Sequence, residues 1–184
     1  ITGGRHRGCI GIDNLAAGRT AAFLLANTAS PQGGKLAVIA ATRHFRAHVE
    51  RELGFQELIQ RDHPRLTFAG TFEGKDDPLI NMRMTLDLLE RFPDLCGIYN
   101  VGGSSEGIGM ALRRTGRARQ VRLIGHGFGE DTRRLLEDGT MLAVLTHRTQ
   151  TLLEVMLDQI HARTAPAPLP MRIIFPTNLP HLRD

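Results

Sequence analysis

Four side chains with hydrogen-bonding or ionisable groups lie in or near segments that follow apolar runs of this sequence: Arg51, Asn100, His126 and His147. A guanidinium can donate to two adjacent hydroxyls, and an amide offers both a donor and an acceptor. A histidine forms hydrogen bonds and attracts an anion when it is protonated. Together with Asp13, these are the candidate ligand-binding residues, and they suit a polar ligand that carries hydroxyls or a carboxylate.

Apolar runs alternate with segments of helical spacing along the whole chain. The pattern predicts a short strand within residues 1–12 and further strands at 36–41, 66–72, 97–101, 121–124, 141–145 and 172–175. It predicts helices over about 14–27, 44–61, 78–92, 105–115, 130–138 and 149–163. Continuous apolar strands are typical of a parallel sheet that is covered on both faces. The predicted fold class is therefore α/β, a three-layer α/β/α sandwich with a mainly parallel sheet, whose carboxyl edge gathers the candidate residues.

The spacing also predicts how individual helices begin and which residues they bury. Asp13 is a suitable N-cap for the first helix. Among the residues expected to face inward are Leu15, Phe45 and Leu79. In the helix over 149–163 the expected apolar face includes Leu152, Leu153, Met156 and Ile160.

Size and composition exclude several classes of function. The 184 residues are enough for one domain, or for one lobe of a two-lobed protein. The net charge of +4 comes from 21 Arg and two Lys that are interleaved with Asp and Glu, so no clustered basic patch predicts direct nucleic-acid binding. No apolar run approaches the roughly 20 residues that a membrane span needs. Cys9 and Cys96 are too few and too distant for a disulfide framework or a zinc knuckle, which favours a reducing compartment.

Three other motifs allow chemistry that we weigh as alternatives. Residues 103–107 satisfy G-x-S-x-G, so an α/β serine hydrolase can be written with Ser105 as nucleophile, His126 or His147 as base and Asp131 as orienter. No oxyanion-type glycine stretch precedes this motif.

His44 and His48 lie four residues apart near Glu50, which would allow a zinc pair on a helix, but no third ligand is evident. The glycines at 125, 127 and 129 lack the full dinucleotide fingerprint and indicate a tight turn. We therefore predict no catalytic residue, metal or cofactor.

Several short motifs occur in one order along nearly the whole chain. They are Gly-Ile-Asp-Asn-Leu-Ala-Ala-Gly-Arg-Thr-Ala-Ala at 11–22, Arg-Glu-Leu-Gly-Phe at 51–55, Ile-Tyr-Asn at 98–100 with Glu-Gly at 106–107, Leu-Ile-Gly-His at 123–126, and Leu-Leu-Glu-Asp-Gly at 135–139. In these motifs the chain resembles the effector-binding domain of the lactose-repressor (LacI/GalR) family, which shares its fold with periplasmic sugar-binding proteins. The resemblance implies that Arg51 and Asn100 hydrogen-bond sugar hydroxyls. For Asn100 the alternative is a turn-capping asparagine, and for Arg51 it is a surface arginine.

Two positions depart from the pattern of that family. Gly127 stands where an aspartate commonly grips sugar hydroxyls, and His147 stands where an amide is common. The loss of a carboxylate acceptor disfavours a plain monosaccharide as ligand. His126 and His147 could take over the hydrogen bonding.

The resemblance also implies how the chain is organised. Residues 1–184 form an effector-binding fragment in which 13–147 are the second lobe, while 1–12 and 149–175 match elements of a first lobe. The chain opens on Ile1 without a signal-peptide pattern, and we interpret it as a fragment or mature piece. The expected protein is a cytoplasmic, homodimeric transcription regulator that senses a carbohydrate or related metabolite and contacts DNA only through an absent headpiece. The alternative is a transport-linked solute-binding protein.

Overall fold

The structure, a computed structural model, describes residues 10–161 and 167–180 and contains one six-stranded sheet flanked by helices. The strands are β1 (Gly34–Ala40), β2 (Leu66–Glu73), β3 (Leu95–Asn100), β4 (Arg122–His126), β5 (Met141–Thr146) and β6 (Arg172–Ile174). The helices are α1 (Asn14–Thr28), α2 (Arg46–Asp62), α3 (Pro78–Arg91), α4 (Ser105–Arg114), α5 (Glu130–Glu137) and α6 (Thr149–His161), with a 3-10 turn at Pro176–Asn178. None of the described helices is both long enough and apolar enough to cross a membrane.

The sheet is parallel except at one edge. Its strand order is β2-β1-β3-β4-β5-β6, with β1 to β5 in parallel register and β6 antiparallel to β5. One face packs on α1 and α2 through residues such as Leu25 and Phe55, and the other packs on α3, α4 and α5 through residues such as Leu88, Ile108 and Leu136. The predicted α/β/α sandwich is confirmed.

The predictions for individual elements were confirmed only in part. Asp13 caps α1 as expected, because its Oδ1 accepts a hydrogen bond of 2.9 Å from the Ala16 N–H. The strand expected within residues 1–12 is not formed by the described residues 10–12, where Leu169 N–H donates to Gly11 C=O at 2.8 Å without any strand pairing. Residues 1–9 lie outside the described part of the chain.

Some apolar side chains expected inside are instead on the surface. Leu15, Phe45 and Leu79 are exposed. Phe45 precedes α2 instead of lying in it, and Leu79 lies in the first turn of α3. Helical periodicity near an element's end therefore did not indicate burial.

Helix α6 buries none of its side chains over the described residues 149–159. Leu153 and Met156, part of the apolar face predicted for this helix, are about half exposed, as is the neighbouring Leu157. The side chain of Ile160 is outside the described part. β6 is hydrogen-bonded to β5 and so belongs to this sheet. The division into residues 13–147 and elements of a first lobe stays a prediction.

Two glycines let α1 and α2 cross in backbone contact, and this contact positions Arg51. A Cβ on Gly18 would lie 2.0 Å from the carbonyl oxygen of Arg51, and one on Gly54 would lie 2.1 Å from that of Leu15. Any larger residue would push the two helices apart. The distance between α1 and the backbone of Arg51 is therefore set by Gly18.

We predict that Gly54→Ala lowers the free energy of unfolding by about 1–3 kcal/mol, because overpacking outweighs the helix propensity that Ala gains. Urea denaturation with an unchanged m-value would measure this loss. Gly11→Ala is the control, since nothing lies within 4 Å of the position that an added Cβ would take there. Equal stability of the Gly54 variant and wild type would contradict the close helix crossing.

Candidate functional site

The carboxyl ends of the parallel strands form one edge of the sheet, where most of the predicted site residues meet. His126 ends β4, His147 follows β5 directly after Thr146, and Asn100 ends β3. Arg51 reaches the same edge from the first turns of α2, since it bonds the carbonyl oxygen of Val101. The structure therefore brings Arg51, Asn100 and His126 to neighbouring strand ends, with His147 on the next strand.

Arg51 is held by two uncharged acceptors. Its Nε donates to Asn14 Oδ1 at 3.0 Å, and its Nη1 donates to the Val101 carbonyl oxygen at 2.8 Å. Asn14 is oriented in turn by Glu50, whose Oε2 accepts from Asn14 Nδ2 at 3.1 Å. Burial lowers the pKa of the Arg51 guanidinium from its usual value. Nη2 donates to no described residue.

His126 is joined to the only tyrosine of the sequence. Tyr99 Oη lies 2.6 Å from His126 Nε2, and the Tyr99 ring stacks on Phe55 of α2 with centroids 5.3 Å apart. Burial raises the pKa of Tyr99, and burial with help from the Arg51 and His48 charges lowers that of His126 well below its ordinary value. Both groups are therefore uncharged at neutral pH.

The Tyr99–His126 bond fixes the imidazole tautomer. The fully buried Tyr99 hydroxyl has no other acceptor among the described residues, so it donates to Nε2. The imidazole proton is then on Nδ1. His126 offers this N–H as a neutral donor at the edge.

His48 and His44 each use one ring nitrogen on Thr42. His48 Nδ1 lies 3.2 Å from the Thr42 carbonyl oxygen, and His44 Nδ1 lies 2.8 Å from Thr42 Oγ1. His44 precedes α2, which begins at Arg46, so the expected helical spacing is wrong. In the described part of the chain, no group of three or more His, Cys, Asp or Glu side chains is placed to hold a metal ion.

Asn100 is fully buried, and its amide is used within the turn after β3. Its Nδ2 donates to the Gly103 carbonyl oxygen at 2.9 Å and to Ser105 Oγ at 2.8 Å, and its Oδ1 accepts from Gly102 N–H at 3.3 Å. The structure favours the turn-capping alternative for Asn100. Both N–H groups of the amide are therefore used within the turn.

The arrangement around Ser105 is not that of a hydrolase. The Ser105 hydroxyl is buried and bonded to Asn100, while His126 bonds Tyr99 instead of Ser105. A nucleophile needs an exposed hydroxyl that is hydrogen-bonded to its base. Ser105 occupies the first turn of α4 and packs near Gly125, whose added Cβ would lie 2.9 Å from Ser105 Oγ.

Three other positions that the sequence singled out lie at or near this edge. Asp13 caps α1 through Oδ1 and is exposed. Gly127 has φ +75°, a conformation that favours glycine, and nothing lies within 4 Å of the position that its Cβ would take. The imidazole of His147 bonds no described residue and is partly exposed. The ligand-binding roles of Asp13 and His147 stay predictions.

A strained junction between two loops at the same edge was not predicted from the sequence. Asp76 and Ser104 have φ values of +53° and +54°, which non-glycine residues rarely adopt. Asp76 Oδ1 accepts from Gly103 N–H at 2.6 Å, and Ser104 Oγ donates to the Asp76 carbonyl oxygen at 2.6 Å. These bonds fasten the loop after β2 to the loop after β3. The Asp76–Asp77–Pro78 run signalled a helix start but not this cross-strand contact.

Two surface depressions of the described chain, of about 310 and 450 Å³, lie away from the edge that carries Arg51. One is at the opposite edge, near Ser30 and His63, and the other lies between α4 and α5. Neither depression is lined by Arg51, Asn100, His126 or His147.

Comparison with known proteins agrees with this geometry. The sequence profile of the family described as periplasmic binding protein domain matches residues 2–163. A sugar-binding protein of a Bacillus halodurans sugar ABC transporter is similar in structure, with a TM-score of 0.79, 24% identity, and coverage of 95% of this chain and 65% of that one. The glucose-galactose binding protein GanP of Geobacillus stearothermophilus has a TM-score of 0.85 at 18% identity, over 98% of this chain and 66% of that one.

A third similar structure holds a ligand. It is an ABC transporter solute binding protein from Agrobacterium vitis with bound D-fucose, with a TM-score of 0.80, 22% identity, and coverage of 94% of this chain and 61% of that one. At these identities the likeness establishes the fold. The chain spans about two thirds of the length of these structures or somewhat less. No curated protein matches the sequence significantly.

The lowered pKa of His126 predicts that the protein loses stability in mild acid. Below pH 6.5 the unfolded imidazole takes up a proton that the folded one does not, so the unfolded state binds more protons and the free energy of unfolding falls. The contribution of His126 approaches about 1.4 kcal/mol per pH unit, the slope for one proton, and His48, whose pKa is also lowered, adds to it. Urea denaturation between pH 7.5 and 5 measures it against a His126→Gln variant, whose profile should be flatter. His147→Gln is the matched control. A stability profile of the His126→Gln variant as steep as that of wild type would contradict the assignment.

Proposed function

Because this chain belongs to the periplasmic binding protein domain family, we propose that it is a ligand-binding lobe that holds a sugar or related polar molecule against a second lobe. The fold places polar side chains at the carboxyl edge of a parallel sheet, which is where ligands of open α/β sheets bind. The similar structures include sugar-binding proteins that are longer than this chain.

The observation that carries the proposal is the fixed guanidinium of Arg51 at this edge. Asn14 and the Val101 carbonyl oxygen hold Nε and Nη1, while Nη2 is left to donate. His126 adds a neutral N–H nearby, since its pKa responds to the Arg51 charge. Rigid donors of this kind bind hydroxyls or carboxylates without a large cost of ordering.

We infer a binding protein without catalytic activity. Ser105, the one nucleophile that the sequence suggested, is buried and bonded to Asn100. The neighbours are described as solute-binding or sugar-binding proteins. We expect an ester-turnover assay to detect no hydrolysis that depends on Ser105.

The transport-linked alternative is favoured over the transcription regulator. Of the three similar structures, two are ABC transporter binding proteins and the third is a glucose-galactose binding protein. The motif resemblance to LacI/GalR proteins supports the regulator as second candidate. A secretory signal in the full-length protein would establish the first proposal, and a helix-turn-helix headpiece with a cytoplasmic location would establish the second.

The apolar surface of α6 supports a further contact with another lobe or with a second copy. Leu153, Met156 and Leu157 are exposed over two turns of this helix. Exposed apolar patches of this kind drive association. The homodimer therefore stays a proposal, and light scattering of the isolated chain would test it.

We predict that Arg51→Ala weakens ligand binding by about 1.5–3 kcal/mol, the range for a hydrogen bond to a charged group. Isothermal titration calorimetry on the full-length protein measures this, because the second lobe supplies part of the contacts. Arg61→Ala is the matched control, since Arg61 lies at the far end of α2 and pairs with Asp62.

Ser105→Ala should keep wild-type affinity, because Ser105 bonds only Asn100 within the turn. Unchanged affinity in the Arg51 variant would remove Arg51 from the site. A loss of affinity in the Ser105 variant as large as in the Arg51 variant would show that the turn, and not the guanidinium, controls binding.

A further inference from the structure

The positive charge of Arg51 has no carboxylate partner among the described residues. Arginines elsewhere in the described chain, such as Arg61, Arg113 and Arg133, form ion pairs with carboxylates. Arg51 bonds only the amide of Asn14 and a backbone carbonyl group. Arg51 is also partly buried, which lowers the pKa of its guanidinium. A charge that is removed from water without a counter-charge costs free energy.

The carboxylates next to Arg51 in the chain are engaged elsewhere. Glu50 accepts from Asn14 at 3.1 Å and pairs with Arg46 at 2.6 Å. Glu52 bonds Gln56 at 2.9 Å and lies 3.5 Å from the Arg43 guanidinium.

Carboxylates on the neighbouring loops are engaged as well. Asp76 accepts from Gly103 N–H and is exposed, although its charge reaches His48 and partly offsets the lowering of the pKa of that imidazole by burial. Glu73 accepts from the Arg43 N–H at 2.9 Å, and Asp13 caps α1. None of these groups neutralises Arg51.

Other groups at the edge do not cancel the positive potential. Burial first, and the Arg51 charge second, lower the pKa of both His48 and His126, so the three side chains lie within electrostatic reach of one another. Gly127, beside His126, contributes no side chain, and the space around the position of an added Cβ is empty for 4 Å. An incoming ligand therefore meets an unpaired cation and neutral donors.

We propose that the ligand carries a carboxylate, and that Arg51 binds this group. The inference deepens the proposed function and rests on it: the ligand class is a sugar acid, such as a hexuronate or an aldonate, and not the neutral parent sugar. A carboxylate accepts from the planar guanidinium at short distance and supplies the missing negative charge. A hydroxyl would accept one hydrogen bond and leave the charge unpaired. His126 Nδ1–H then donates to a further oxygen of the ligand.

The test compares acids with their neutral parents on the full-length protein. A thermal-shift screen of hexuronates, aldonates and aldarates beside the corresponding neutral sugars selects pairs, for example D-galacturonate with D-galactose, for calorimetry. We expect the acid of a pair to bind at least about tenfold more tightly, since charge-assisted hydrogen bonds are about twice as strong as neutral ones. This preference should shrink as salt is raised.

Variants identify the residue responsible. Arg51→Gln should bring the two affinities of a pair to within about threefold of each other, and Arg51→Lys should keep part of the preference because the charge remains. Arg61→Gln, on the same helix but at its other end, should keep the whole preference. Circular dichroism and the melting temperature confirm that each variant is folded.

The outcomes separate this inference from the proposed function. Equal or tighter binding of the neutral sugars overturns the inference and leaves a sugar-binding lobe standing. An acid preference that Arg51→Gln retains overturns the role of Arg51. Binding of neither series by the folded protein overturns the inference together with the carbohydrate part of the proposed function.

Discussion

The structure depends on the way in which Arg51 ties α1, α2 and the end of β3 together. Its guanidinium bonds Asn14 at the start of α1 and the Val101 carbonyl oxygen just past β3. The bond lengths of 3.0 and 2.8 Å require a short distance between the two helices, and Gly18 allows it by leaving room for the Arg51 backbone. A side chain at either helix contact would displace the guanidinium from the edge of the sheet. The packing of α1 against α2 and the proposed ligand binding therefore both depend on Arg51.

The electrostatics of the edge follow from this constraint. Arg51 is partly removed from water without a carboxylate partner in the described chain, and its charge helps to keep His126 neutral. Tyr99 completes the arrangement, because its buried hydroxyl fixes which nitrogen of His126 carries the proton. The result is a set of hydrogen-bond donors at a strand edge that lacks one side of a cleft. The proposed function requires such donors, since it assigns the closing of the site to the ligand and a second lobe.

The sequence predicted the layers of the fold because buried parallel strands are continuous apolar runs, and it located Arg51 and His126 because strand ends share an edge. It did not predict the antiparallel pairing of β6, since strand direction depends on a connection whose length does not specify it. It left Asn100 open between a ligand residue and a turn-capping residue, and the amide is in fact bonded to Gly102, Gly103 and Ser105. Spacing along the chain cannot show that a polar side chain is already bonded. For the same reason the sequence did not reveal the partners of Arg51 and His126. Asn14 directly follows the helix cap Asp13, and Tyr99 lies within an apolar strand.

The central claim is that Arg51 is fixed and shielded from water at this edge before any ligand binds. Hydrogen exchange of the Arg51 Nε–H, followed by ¹⁵N NMR on the ligand-free protein and assigned by its loss in Arg51→Lys, tests it most directly. Exchange should be at least about tenfold slower than for the exposed Arg114, since an Nε–H that is bonded to Asn14 must open before it exchanges. Asn14→Ala should remove this protection. An Arg51 Nε–H that exchanges as fast as that of Arg114 in the wild-type protein would contradict the account.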